Sequence, residues 1–137
     1  MKTKEIFSGE LFSTGDIFER DRQKFLRVLC QYEALSEEKE CQKSAIVLED
    51  MVKKYYELPD ALPILFDFTH IRYIDATGLS PLLTANALAK GANKRNAGAI
   101  IIGLQEHVRR FFAISQVDTV IECANFEEFV RAKSQKF

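Results

Sequence analysis

The sequence predicts an α/β fold, a parallel or mixed sheet covered by helices. Three observations predict it. Short, nearly continuous apolar runs stand at Ile64–Phe68 ("ILFDF") and Ala99–Leu104 ("AIIIGL"), the pattern of strands buried on both faces. Between them, residues 79–95 are rich in Leu and Ala, strong helix formers. The length of 137 residues and the 47% hydrophobic content suit one domain, 1–137, with enough apolar side chain for a sizeable core.

The elements follow in order. Glu5–Phe12 ("EIFSGELF") reads as a strand. Lys24–Tyr32 ("KFLRVLCQY") fits two states: Phe18, Phe25, Leu29 and Tyr32 keep a helical period, yet the run is short and rich in strand formers. Residues 36–58 form the first predicted helix. Ser36 is placed to cap it, and Glu37 and Glu38 suit its first turn. Its apolar side is Ile46, Leu48, Met51, Val52 and Tyr55, and of Tyr55 and Tyr56 one ring is expected packed and one exposed. Asn96–Gly98 ("NAG") marks a turn after the Leu/Ala helix. Gln105–Ile114 is predicted helical, with Val108, Phe111, Phe112 and Ile114 as its apolar face. Thr119–Ala124 ("TVIECA") reads as a third strand. Asn125–Lys133 closes as a helix capped by Asn125, with Phe126, Phe129 and Val130 on one side.

Composition and motifs exclude several function classes. The formal net charge is −1, from 19 basic and 20 acidic residues, whereas a nucleic-acid binder usually carries a basic surplus. No apolar run is long enough to span a membrane. "MKTKEIFSGELF" has neither the apolar segment nor the cleavage site of a secretory leader, so a cytoplasmic protein without direct membrane insertion is expected. Cys30, Cys41 and Cys123 are odd in number and form no C-x-x-C pair, which reads as reduced thiols. His70 and His107 lack metal-ligand spacing, so neither metal nor cofactor is expected. There is no nucleophile elbow, Gly-rich phosphate loop or ordered Ser-His-Asp set. That favours a non-enzymatic role over a small flavodoxin-like enzyme.

The most informative stretch is Ile74–Pro81, "IDATGLSP". Asp75 can cap a following helix by accepting from an amide two or three residues on, or contact a partner. Gly78 is expected to permit a close backbone approach or an unusual dihedral. Ser80-Pro81 reads locally as an N-cap followed by proline at the first helical position. In a helix capped by Asp75 the proline would be sixth, where it removes a backbone bond and crowds the carbonyl four residues earlier. The first turn is therefore expected to be offset, kinked or loop-like. Thr69, His70, Arg72 and Tyr73 precede the corner at the carboxyl end of a strand, where α/β folds usually bind ligands.

In order and spacing, "FDFTHIRYIDATGL", a Leu/Ala helix, "AGAIIIGL" and "VRRFFAISQVDTVIECANFEEFV" resemble the STAS domain over residues 62–132. That family comprises anti-sigma factor antagonists and related regulatory modules. The resemblance implies the STAS fold, a mixed four- to five-stranded sheet with helices packed on it, preceded by an N-terminal hairpin and helix. Lys24–Tyr32 then becomes a strand, with "KEIFSGELF" as its hairpin partner and Ser13–Gln23 as a long connection. A helix over Asp16–Leu35 is the alternative for residues 1–35. The resemblance further implies binding to a protein partner, an anti-sigma factor or GHKL-type serine kinase. The implied binding surface is Thr69, His70, Asp75, Ala76, Thr77, Gly78, Leu79 and Ser80. Phosphorylated members carry Ser or Thr directly after the Asp. Here that place is Ala76, which has no hydroxyl, so Thr77 is the candidate for a displaced acceptor. STAS domains also serve as structural subunits of membrane transport complexes, a role that needs no phosphate.

Overall fold

The computed structural model describes residues 3–129. A one-turn helix, Thr3–Ile6 (α1), is the first described element; Ile6 is buried, as is Phe7 just after it. Phe12–Arg20 (β1) and Gln23–Cys30 (β2) then pair antiparallel. Asp21 and Arg22 connect them with φ of 53° and 68°, the positive values that a two-residue type I′ turn requires.

This hairpin corrects the expected N-terminal third. Residues 5–11 are not strand, Ser13–Gln23 is not a loop, and no helix forms over Asp16–Leu35. Asp-Arg lacks the Asn-Gly signature of such a turn, and the register shifts between Thr14 and Ile17. The shift interrupts the alternation that would have marked the strand.

The remaining elements are Ala34–Leu35 (β3), Ser44–Tyr55 (α2), Ile64–Asp67 (β4), Tyr73–Ile74 (β5), Ala76–Ala92 (α3), Ile100–Ile102 (β6), Glu106–Ile114 (α4) and Glu122–Ala124 (β7). The main sheet has the order β1-β2-β4-β6-β7 and is parallel apart from its first pair. β3 and β5 form a separate parallel pair that aligns Leu35 with Ile74. The α/β class and the five-stranded mixed sheet agree with the sequence reading.

The first predicted helix is shorter than 36–58. A 3-10 turn at Lys39–Cys41 precedes α2, and Gln42 and Lys43 sit at φ of 54° and 49°. Two left-handed residues in succession stop a helix from reaching back to Ser36. The strand expected from Thr119 begins only at Glu122, because Gln116 is left-handed and residues 117–119 form a 3-10 turn.

One face of the sheet carries Leu26, Val28, Ile64, Phe66 and Ile101, packed under Leu48 and Val52 of α2, Leu82 and Ala85 of α3, and Val108 and Phe112 of α4. Each such large side chain contributes about 1.5–3 kcal/mol by leaving water. Ile46 and Ile114 are not part of this layer; they are 42% and 82% exposed. Tyr56 is half-buried rather than exposed, and its hydroxyl donates to the Leu62 carbonyl at 2.9 Å. The opposite face gathers Phe25, Leu65, Ile100 and Ile102 beneath Phe129, with Phe18 and Phe126 beside them. Asn125 caps the closing helical turn, accepting from the Glu127 amide at 2.8 Å. The rest of that predicted helix, Val130 included, lies outside the described residues.

Candidate functional site

Asp75 sits in extended backbone immediately after β5 and caps α3. Its Oδ1 accepts from the amides of Thr77 at 3.1 Å and Gly78 at 3.3 Å, and from the Thr77 hydroxyl at 2.5 Å. Its Oδ2 accepts from the Ser36 hydroxyl at 2.6 Å. Burial alone would raise the Asp75 pKa. The hydrogen bonds from Ser36, Thr77 and the Gly78 and Thr77 amides outweigh it and hold the carboxyl below its usual value.

The helix that follows runs continuously from Ala76 through Pro81 to Ala92. The expected offset or loop-like first turn before Pro81 therefore does not occur. Proline at 81 removes only the donor that would serve the Thr77 carbonyl. The first turn is fixed by other means, namely the Asp75 cap and the segment Leu35–Glu38. Thr77 Oγ1 accepts from the Glu37 amide at 2.9 Å while donating to Asp75. Ser36 Oγ likewise accepts from the Glu38 amide at 3.0 Å while donating to Asp75. The Ser44 hydroxyl braces the same segment from below, donating to the Ala34 carbonyl at 2.7 Å.

Gly78 is where the two segments meet. A Cβ there would stand 2.4 Å from the Leu35 carbonyl oxygen and 2.8 Å from Ile74 Cγ1. Its φ is not positive, so of the two reasons proposed for this glycine the close approach applies.

Ala76 and Ser80, one helical turn apart, are exposed, whereas Thr77 and Leu79 are half-buried. The Ser80 hydroxyl donates to Glu49 Oε1 at 2.6 Å, and Glu49 Oε2 also pairs with Lys53 at 3.3 Å. A groove of about 270 Å³ opens here between α2 and α3, lined by Glu37, Ala45, Ile46, Asp50, Thr77 and Ser80, among others.

Thr69 and His70 do not join this cluster. They line a different recess of about 260 Å³ with Arg27, Cys30 and Asp67. The Thr69 hydroxyl donates to Asp67 Oδ1 at 2.5 Å, and Arg27 binds Asp67 Oδ2 through Nε at 3.1 Å and Nη2 at 2.5 Å. Burial pushes the Asp67 carboxyl up, but Thr69 and Arg27 pull it below its usual value. Gly103, at φ 77°, allows this contact, since a Cβ on it would fall 2.6 Å from Thr69 Oγ1.

The sequence reading missed two parts of this arrangement. Ser36 and Glu37 were assigned to a helix start, because Ser-Glu-Glu is also a capping pattern. Arg27 was not paired with Asp67, although a lone acid inside "ILFDF" signals a buried partner. Among the described residues no group of His, Cys, Asp and Glu is placed to hold a metal ion. The three cysteines are free thiols. None of the helices in the described residues is long and apolar enough to cross a membrane.

No protein-family model matches the chain. Over 72 residues, 53% of the chain, it is 28% identical to the anti-sigma-B factor antagonists of Listeria monocytogenes and Listeria innocua. That match spans 60% of the relatives' length. Among solved structures, the unphosphorylated anti-sigma factor antagonist SpoIIAA superposes with a TM-score of 0.56 at 15% identity, covering 84% of this chain and 91% of that one. An anti-sigma factor antagonist from Mycobacterium paratuberculosis superposes with a TM-score of 0.58 at 15% identity, covering 93% and 97%. The chain therefore has the STAS fold, the architecture of these anti-sigma factor antagonists, and its curated relatives carry that name.

Proposed function

We propose that the chain is a non-catalytic regulatory module that binds a protein partner through the Asp75 corner, as an anti-sigma factor antagonist does. The partner is an anti-sigma factor of the GHKL serine-kinase type, in a partner-switching pathway. The observation that carries this reading is the corner itself: a capped α3 terminus, locked to Leu35–Glu38, with Ala76 and Ser80 turned to solvent. The binding surface is Asp75, Ala76, Thr77, Gly78, Leu79 and Ser80, with Thr69 and His70 on a neighbouring recess.

Ala76 offers no hydroxyl, so a phosphate cannot switch the module at that position. The Thr77 hydroxyl is engaged twice, and phosphate there would replace both bonds and set two negative charges beside Asp75 and Glu37. Thr77 acts as a latch in this reading, and control rests with the partner's own level or state. Mass spectrometry after incubation with the kinase and ATP tests this point. A phosphoryl group that appears on Thr77, and is lost in Thr77→Ala, would return the switch to the module.

Affinity capture from the native host tests the whole reading. Wild-type chain is expected to retain a GHKL-type anti-sigma factor, and Asp75→Ala to lose about tenfold in affinity, roughly the 1.4 kcal/mol of one charge-assisted contact. Ala76 also favours a second role, a docking subunit of a membrane transport complex, which needs no phosphate. Retention of an ABC transporter subunit in place of the kinase would establish that role instead.

A further inference from the structure

We infer that Gln105 and His107 are positioning residues for the Asp75 corner: from the start of α4 they hold the β4–β5 loop by two of its carbonyls, and so set where β5 delivers Asp75. This names a support of the surface proposed above, and rests on that proposal.

The loop between β4 and β5 has little burial of its own to hold it. Thr69, His70 and Arg72 are exposed, and of residues 69–72 only Ile71 is buried. Gln105 Nε2 donates to the Thr69 carbonyl at 3.0 Å. His107 Nε2 bonds the Arg72 carbonyl. A carbonyl only accepts, so that ring nitrogen carries the proton. Gln105 stands at the N-cap of α4 yet makes no cap bond. Glutamine is not among the preferred caps, whereas Ser, Thr, Asp or Asn there would serve α4 itself. Its side chain serves the neighbouring loop instead. The two links also run close together. Gly103 has φ of 77°, and a Cβ on it would lie 3.0 Å from the Thr69 amide nitrogen. The Arg72 amide, with that of Tyr73, donates to the Glu33 carbonyl at 2.7 and 3.0 Å. Arg72 is therefore held at both of its backbone groups, by α4 and by Glu33. From Arg72 to Asp75 is three residues, at most about 10 Å of chain, and the short strand β5 fills the interval. A displaced Arg72 has little slack to lose before the cap moves. α4 is itself lightly seated: of its nine residues only Val108 and Phe112 are buried. The corner thus takes part of its position from a helix some 30 residues further along the chain.

The test uses the full chain labelled with nitrogen-15, with hydrogen exchange read at single amides. In Gln105→Ala/His107→Ala the Tyr73 and Thr77 amides are expected to exchange about fivefold faster than in wild type, the factor that one lost hydrogen bond gives. Val52 in α2 and Phe66 in β4 should keep their wild-type rates. His107→Gln returns an N–H donor of similar reach, so it should match wild type where His107→Ala does not. Affinity for the anti-sigma factor should fall about fivefold in the double variant and hold in His107→Gln. Three results overturn the inference: unchanged exchange at Tyr73 and Thr77, exchange at Val52 and Phe66 faster by the same factor, or His107→Gln no better than His107→Ala. Exchange needs no partner, so the two readings separate. If exchange behaves as expected and wild type captures no anti-sigma factor, the positioning role stands and the corner reading falls. If wild type captures it and the double variant binds it equally well, the corner reading stands and the positioning role falls.

Discussion

A methyl group at position 78 would have to enter space already held by backbone. Glycine to alanine inside a helix ordinarily gains about 1 kcal/mol. Here the new Cβ would lie 2.4 Å from the Leu35 carbonyl, and that oxygen belongs to β3, not to a side chain that can swing away. Overpacking of this kind costs about 1–3 kcal/mol, so the clash exceeds the propensity gain. Gly78→Ala is expected to lower the urea midpoint, with a net loss of up to about 2 kcal/mol. Equal or greater stability would mean that β3 yields, and that the β3–α3 contact is softer than its distances imply. The same scale explains why Asp75 was readable in advance. A carboxylate before a helical stretch has few roles, and capping is the commonest. Ser36 was not readable, because the residue it serves lies 39 positions away.

At the scale of elements, β2 and β4 are joined on their second face by the Arg27–Asp67 pair. Asp67 is only 6% exposed, and Arg27 also stacks over the rings of Phe18 and Phe126. Arg27→Met would keep the stem and remove the charge, leaving the Asp67 carboxylate with Thr69 alone. A loss of about 2–3 kcal/mol in equilibrium unfolding is expected. Asp67→Leu added to it should recover part of that loss, because the uncompensated charge disappears; a double variant no more stable than Arg27→Met would show that the pair matters for its packing. The elements that sequence made legible share one property, a regular burial pattern. Ile64–Asp67 and Ile100–Ile102 carry it as unbroken buried runs, and the α3 and α4 helices carry it at helical spacing. The β1–β2 hairpin does not: its outer strand alternates imperfectly across a bulge, and its turn uses Asp-Arg. The two-residue strands β3 and β5 are too short for any period to register. Their pairing comes from tertiary placement, including the Arg72 and Tyr73 amides that both donate to the Glu33 carbonyl.

For the whole molecule, the two lowered carboxyls contribute to the acid response. Asp67 and Asp75 bind protons less readily folded than unfolded. Their contribution to stability is present above the unfolded carboxylate value, about 3.9, and is lost as pH falls through the folded values beneath it. The urea midpoint should therefore stay level from pH 7 to about 5 and drop below about pH 4. Asp75→Asn should flatten part of that drop, because an amide can still accept from the helix amides but does not titrate; an acid limb unchanged in Asp75→Asn would remove Asp75 from the account. The segments that meet at Gly78 add a different consequence. Ser36 and Glu37 stand some 40 positions from Asp75 and Thr77, with α2 and β4 between them. A synthetic peptide spanning Ile74–Pro81 would carry every letter of the motif but neither of the bonds that Ser36 and Glu37 bring to it. A partner that recognises the assembled corner thereby reads folded chain, since a copy truncated before Ile74 lacks one of its two halves.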